Sequence, residues 1–181
     1  MKISARNMHN TLAVLLTMSA LFGSVAPASA SEGQGKITGT GGVTDDFSDE
    51  ATLWSGSRYW HSNASGLVQY ILSREFIGQI SMDCAYGGDT TYWVKEYQKR
   101  LGFTGSDVDG VVGPATWNRI DNRLVLGDYF SDTARYVRYN AIGGADGRLI
   151  RLIESTGDYY WRRSDQAPLI QASYTDVSSD C

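Results

Sequence analysis

Apolar positions recur along the chain first at helical and then at strand spacing. Leu67, Val68, Ile71 and Leu72 fall on one face of a helix running from an N-cap at Ser65 to about Ile77. Trp93, Val94, Tyr97 and Leu101 mark a second helix, capped by Asp89 or Thr90, and Trp117, Ile120 and Leu124 a third, opening at about Pro114. From Tyr136 the period changes to strands. Tyr136 to Tyr139, Arg148 to Ile153, Tyr159 to Arg162 and Leu169 to Tyr174 are separated by turns rich in Gly, Ser and Asp. The fold class expected is α+β: a small three-helix bundle with a C-terminal antiparallel β appendage. Phe47, Leu53, Trp54, Tyr59 and Trp60 supply large apolar groups to pack on that bundle.

Glycine, aspartate and threonine punctuate the helical part in a repeated order. Val108-Asp109-Gly110-Val111-Val112-Gly113-Pro114-Ala115-Thr116-Trp117 makes a tight corner into a helix. Asp109 can accept backbone N–H groups across the turn, Gly110 and Gly113 permit angles closed to other residues, and Pro114 suits the first helical position. Asp83, Gly87 and Thr90 stand 26 residues before Asp109, Gly113 and Thr116, with Cys84 in the place of Gly110. These residues read as fold-makers, explained by backbone geometry.

The repeated corner, the helix Thr91 to Gln98 with its exit Leu101-Gly102-Phe103, and the upstream Ser65 to Leu72 resemble the peptidoglycan-binding domain attached to many secreted cell-wall enzymes. The resemblance covers about residues 65–124. It implies a three-helix module that holds peptidoglycan or a related wall glycan and does no chemistry. In this sequence Cys84 departs from the family's Asp-Gly pattern, which implies a first corner reshaped or locked by a disulfide.

The N-terminus adds a compartment. Lys2 and Arg6 precede a mostly apolar run from Leu12 to Val25, and Ala28-Ser29-Ala30 offers a cleavage site, so residues 1–30 read as a secretory signal peptide. The run is too short and too often broken by Thr, Ser and Gly for a membrane span. Residues 31–46, rich in Gly, Ser and Thr, read as a flexible linker. Residues 47–126 are then the helical domain and 127–181 the β-rich appendage.

Charge narrows the partners. The formal net charge is −4, and loss of residues 1–30 moves it to −6 because Lys2 and Arg6 go with them. An acidic chain without a basic cluster disfavours nucleic acid and anionic lipid, and exerts no pull on anionic wall polymers. Cys84 and Cys181 are the only cysteines and both lie in the exported part, which favours an intramolecular disulfide over two free thiols or a bridge between chains.

Catalytic patterns are mostly missing. His61 is the only histidine after residue 30, which excludes the usual multi-histidine zinc peptidases and amidases. Asp107-Val108-Asp109-Gly110 lacks the remaining ligands of a calcium loop, so neither a metal nor another cofactor is expected. Asn63-Ala64-Ser65 matches a glycosylation sequon. Exposed aromatics and amides are what a glycan site would use, and Tyr92, Gln98 and Tyr160 are the candidate ligand contacts, whereas Trp93 and Tyr97 are in phase with the core. The expectation is a secreted, cell-wall-associated, non-enzymatic peptidoglycan-binding protein. Its alternatives are a wall hydrolase with a carboxylate site in the C-terminal part and a secreted module that holds another secreted protein.

Overall fold

The computed structural model describes residues 33–152 and 157–181, so the expected signal peptide lies outside the described residues. Helix α1 spans Asn63–Glu75, α2 Gly88–Arg100 and α3 Pro114–Asp121. Five strands follow: β1 Leu124–Ser131, β2 Ala134–Tyr139, β3 Gly147–Leu152, β4 Tyr159–Trp161 and β5 Ile170–Gln171. They form one antiparallel meander in the order β1-β2-β3-β4-β5.

The three helices do not form a bundle with the strands appended. Helix α1 is buried on almost every side, Gly66 and Gln69 included, as expected of a helix wrapped by other elements. The sheet supplies much of that cover. Trp161 donates its indole N–H to Asn63 O at 3.2 Å, and the Tyr70 hydroxyl takes up both the N–H and the carbonyl of Arg148 at 2.8 and 3.1 Å. At the far end of α1, Tyr139 donates to Glu75 Oε1 at 2.6 Å. Val137, Tyr139, Leu149, Tyr159, Trp161 and Ile170 belong to the same buried cluster as Leu67, Ile71, Val94 and Trp117. Helices and sheet are two halves of one core. A bundle was expected because helical periodicity shows which face is apolar but not what covers it.

The third helix is shorter than its apolar spacing predicts. It ends at Asp121, and Leu124 opens β1 opposite Tyr139. Leu124 follows Ile120 by four residues, so it keeps helical phase while belonging to a strand. Strand β1 lies at the sheet edge, and its register shifts between Leu126 and Tyr129 and again before Ser131. Such irregularities bend an edge away from flat pairing.

The stretch expected to be a linker is woven into the sheet end of the molecule. Ile37 N–H donates to Ala172 O at 2.7 Å, Tyr159 N–H donates to Ile37 O at 3.1 Å, and Gly39 N–H donates to Gly157 O at 3.1 Å. Ile37 is fully buried and Val43 nearly so. Two isolated apolar residues carry no period, so composition outweighed them in the sequence. Next along the chain, Phe47 sits edge-on between the rings of Trp117 and Tyr159, at 5.5 and 4.9 Å.

Cys84 and Cys181 form the disulfide. Its sulfur lies against Gly66, where a Cβ would collide with Cys84 Sγ and the Trp161 ring. That glycine lets α1 approach the bridge and the sheet together. Among the described residues, no helix is long and apolar enough to cross a membrane.

Candidate functional site

The repeat seen in sequence is a repeat of hydrogen bonds. In the first corner Gln69 Nε2 donates to Asp83 Oδ1, Ala85 O and Thr90 Oγ1 at 2.7, 3.0 and 3.1 Å, while Gln69 Oε1 accepts Cys84 N–H at 2.8 Å. In the second, Gln98 Nε2 donates to Asp109 Oδ1, Val111 O and Thr116 Oγ1 at 2.8, 3.0 and 3.2 Å, and Gln98 Oε1 accepts Gly110 N–H at 2.9 Å. Asp83 and Asp109 each accept a further N–H two residues on, from Ala85 and Val111. Burial alone would raise the Asp83 carboxyl, but hydrogen bonds from Gln69 and the Ala85 N–H outweigh it and hold its pKa below the ordinary carboxylate value.

Backbone geometry separates the two glycines of the second corner. Gly110 has φ 78° and Cys84, its counterpart, has φ 58°, so the first corner keeps its shape although a side chain occupies it. A Cβ at Gly110 would stand 2.9 Å from the Thr91 carbonyl oxygen. Gly113 has φ −101° and caps α3 in ordinary extended backbone, so the left-handed freedom expected there is needed only at Gly110. Gly87 caps α2 in the same way, with no side-chain cap bond; neither Asp89 nor Thr90 is the cap. Thr90 and Thr116 instead turn back to donate to Ala85 O and Val111 O.

Gln98 is therefore placed differently from a ligand contact. It is 1% exposed and its amide is fully committed to the corner. Tyr92, by contrast, is 55% exposed on the outer face of α2. Tyr160 lies on the outer face of the sheet opposite Ile150 and Gln171. Burial, with the neighbouring Asp158 charge adding to it, raises the pKa of its hydroxyl. Tyr160 does not line the surface around Tyr92, so the two candidates serve different faces.

Around Tyr92 the molecule presents a groove. Two depressions of about 390 and 440 Å³ meet at Gln79 and Trp93, running from the first corner along α2 to Arg100. Trp93, expected wholly in the core, is half-buried and forms the groove wall. Its ring meets Tyr92 edge-on at 5.0 Å and lies 4.8 Å from Phe76. The Arg100 guanidinium lies over the Phe76 ring at 3.8 Å. Ile77 is 66% exposed beside them. Gln79, Asp89 and Glu96 set polar groups around these rings. The sequence did not single out Phe76, Ile77 or Gln79. Phe76 and Ile77 read as the last turn of a helix that in fact ends at Glu75, and Gln79 follows in a loop with no period to phase it.

Against known protein families, curated proteins and solved structures, the chain matches none.

The buried acids are occupied elsewhere. Asp46 accepts from Arg151 at 2.7 Å and from the Tyr159 hydroxyl, and burial raises its pKa. Asp121 Oδ1 accepts the Phe47 N–H at 2.7 Å, and burial lifts its pKa to about 7. Asp158 pairs with Lys36 at 2.6 Å, and Glu75 with Arg100 at 3.5 Å. Of these, only Glu75 borders the groove. Among the described residues no group of His, Cys, Asp or Glu could hold a metal ion. His61 lies against the Trp60 ring. Asn63 of the sequon is buried, with Oδ1 accepting the Ser178 N–H at 2.7 Å, a position closed to a glycan.

Proposed function

We propose that this protein is a secreted, non-catalytic binder of peptidoglycan or a related cell-wall glycan, holding it in the groove along α2. The observation that carries the reading is the pairing of exposed Tyr92 with the half-buried Trp93, bordered by Gln79, Asp89 and Glu96. Flat rings cover the apolar faces of sugar rings, while amides and carboxylates bind the hydroxyls between them. The duplicated corner supports the same reading, since the resemblance to wall-binding modules rests on it. Asp83 and Gln69 fix the loop that forms one end of the groove, so the binding surface is held by rigid backbone rather than assembled on contact.

The acids engaged with Arg151, Lys36 and Arg100 favour binding over hydrolysis, because each already serves as the counter-charge of a folded-state cation. Export is supported by the basic and apolar N-terminus and by the disulfide. Incubation with insoluble peptidoglycan tests the proposal: the protein should pellet with it and release no soluble fragments. Release of soluble fragments would show an enzyme.

A further inference from the structure

Away from the groove, the outer face of the sheet gathers positive charge in an otherwise acidic chain. Arg138 of β2 and Arg148 of β3 stand directly opposite one another in register. Both are exposed, and neither has a carboxylate within ion-pair reach among the described residues. Like charges directly across a sheet are unfavourable for folding, so this pair is not explained by stability. Arg162 follows β4 directly and shares a cleft with Arg148.

A cleft of about 280 Å³ opens beside Arg148, lined by Tyr70, Arg74, Arg148, Arg162, Arg163 and two aspartates. The aspartates are Asp146 and Asp165, so four guanidinium groups face two carboxylates and leave a formal charge of +2. Asp165 accepts from Arg162 at 3.0 Å, and Asp146 accepts the Ala141 N–H at 3.2 Å. Arg74 is tied to the carbonyls of Ala145 and Asp146 at 3.1 and 2.9 Å, which orients its fork without neutralising it. The Tyr70 hydroxyl grips the backbone of Arg148 on both its N–H and C=O, fixing the strand from which that side chain rises.

We propose that this cleft is a binding site for a phosphate monoester or free phosphate, held by the guanidinium groups of Arg74, Arg148 and Arg162. A doubly charged tetrahedral oxyanion matches the residual charge, and guanidinium forks match its oxygens by paired N–H donors. The inference does not depend on the glycan reading, because it concerns a different face and a different ligand chemistry.

Isothermal titration of the protein at pH 7.5 with inorganic phosphate tests it, ionic strength being matched with sodium chloride. A second titration uses glucose 6-phosphate. Saturable binding of one phosphate group is expected, weakened at least tenfold by Arg148→Gln and by Arg162→Gln. Arg119→Gln, which removes the same charge from α3, should leave affinity unchanged. Equal affinity for both ligands identifies the phosphate group alone as the determinant, whereas tighter binding of the ester identifies a sugar phosphate as the source. Heats of dilution only, or equal weakening by all three substitutions, would overturn the proposal. Melting curves of each variant separate lost binding from lost folding.

Discussion

Gln98 donates to Asp109 at 2.8 Å, and with that bond it holds the loop that opens α3. The same amide also receives the Gly110 N–H, so one side chain closes the corner from both directions. Gln69 and Asp83 repeat the arrangement at the start of α2. Removing either glutamine leaves the buried N–H of Cys84 or Gly110 unpaired and takes one bond each from the aspartate and the threonine, which keep their partners within the loop. Gln98→Ala and Gln69→Ala should each cost about 1–3 kcal/mol in urea unfolding, the range for leaving buried polar groups unpaired. Unchanged midpoints would mean that the corners stand without them.

The two glycines of the second corner should respond differently to one substitution. Gly110→Ser puts a Cβ into left-handed backbone and against the Thr91 carbonyl, for a loss of about 1–3 kcal/mol. Gly113→Ser places a good N-cap residue in extended backbone, where a Cβ meets only Thr52 at ordinary contact distance. Its effect should stay within about 0.5 kcal/mol of wild type. Thermal melts of the two variants compare them directly.

What the sequence revealed divides along physical lines. Asp, Gly and Thr in the corners were legible because the turn itself demands those residue types. Gln69 was not, since it lies 29 residues from Gln98 while Asp83 lies 26 from Asp109, and the change of offset hides it from a repeat in register. Gln98 looked free for a ligand because helical phase says which way a residue points but not that a loop folds over it. The four later strands were readable from their alternation and the turns between them. Strand β1 was hidden by Leu124 keeping the phase of α3, and the pairing of Ile37 with the sheet by a Gly- and Ser-rich surround.

A shared core predicts a shared melt. Because Trp161, Tyr139 and Tyr70 tie sheet to helix, circular dichroism and near-ultraviolet signals should fall in one coincident transition. Reduction of Cys84–Cys181 frees a constraint on a sequence separation of 97 residues and should lower the midpoint while leaving a single transition. Separate melting of helices and sheet would contradict the architecture.

Asp121 makes stability depend on pH. Its folded pKa of about 7 lies above the ordinary carboxylate value of 3.8, so between the two the native state holds a proton that the unfolded chain has released. The stabilisation is complete below the unfolded value and is lost as pH rises through 7. Asp121→Asn should flatten this decline between pH 4 and 7, where one excess proton corresponds to about 1.4 kcal/mol per pH unit. Asp46, raised in the same direction, leaves a residual slope. Urea unfolding at stepped pH gives the comparison, and an identical slope in the variant would place the linked proton elsewhere.

The central claim is that the groove beside Tyr92 and Trp93 holds cell-wall glycan. Tyr92 is mostly exposed, so Tyr92→Ala should melt like wild type while removing a ring from the proposed binding surface. Co-sedimentation of the protein with insoluble peptidoglycan, run side by side with that variant, is the most direct measurement. The account predicts that wild type pellets in a saturable manner and that Tyr92→Ala loses at least about 1 kcal/mol of binding, roughly fivefold in affinity. Wild type remaining in the supernatant, or the variant pelleting as well as wild type, would contradict it.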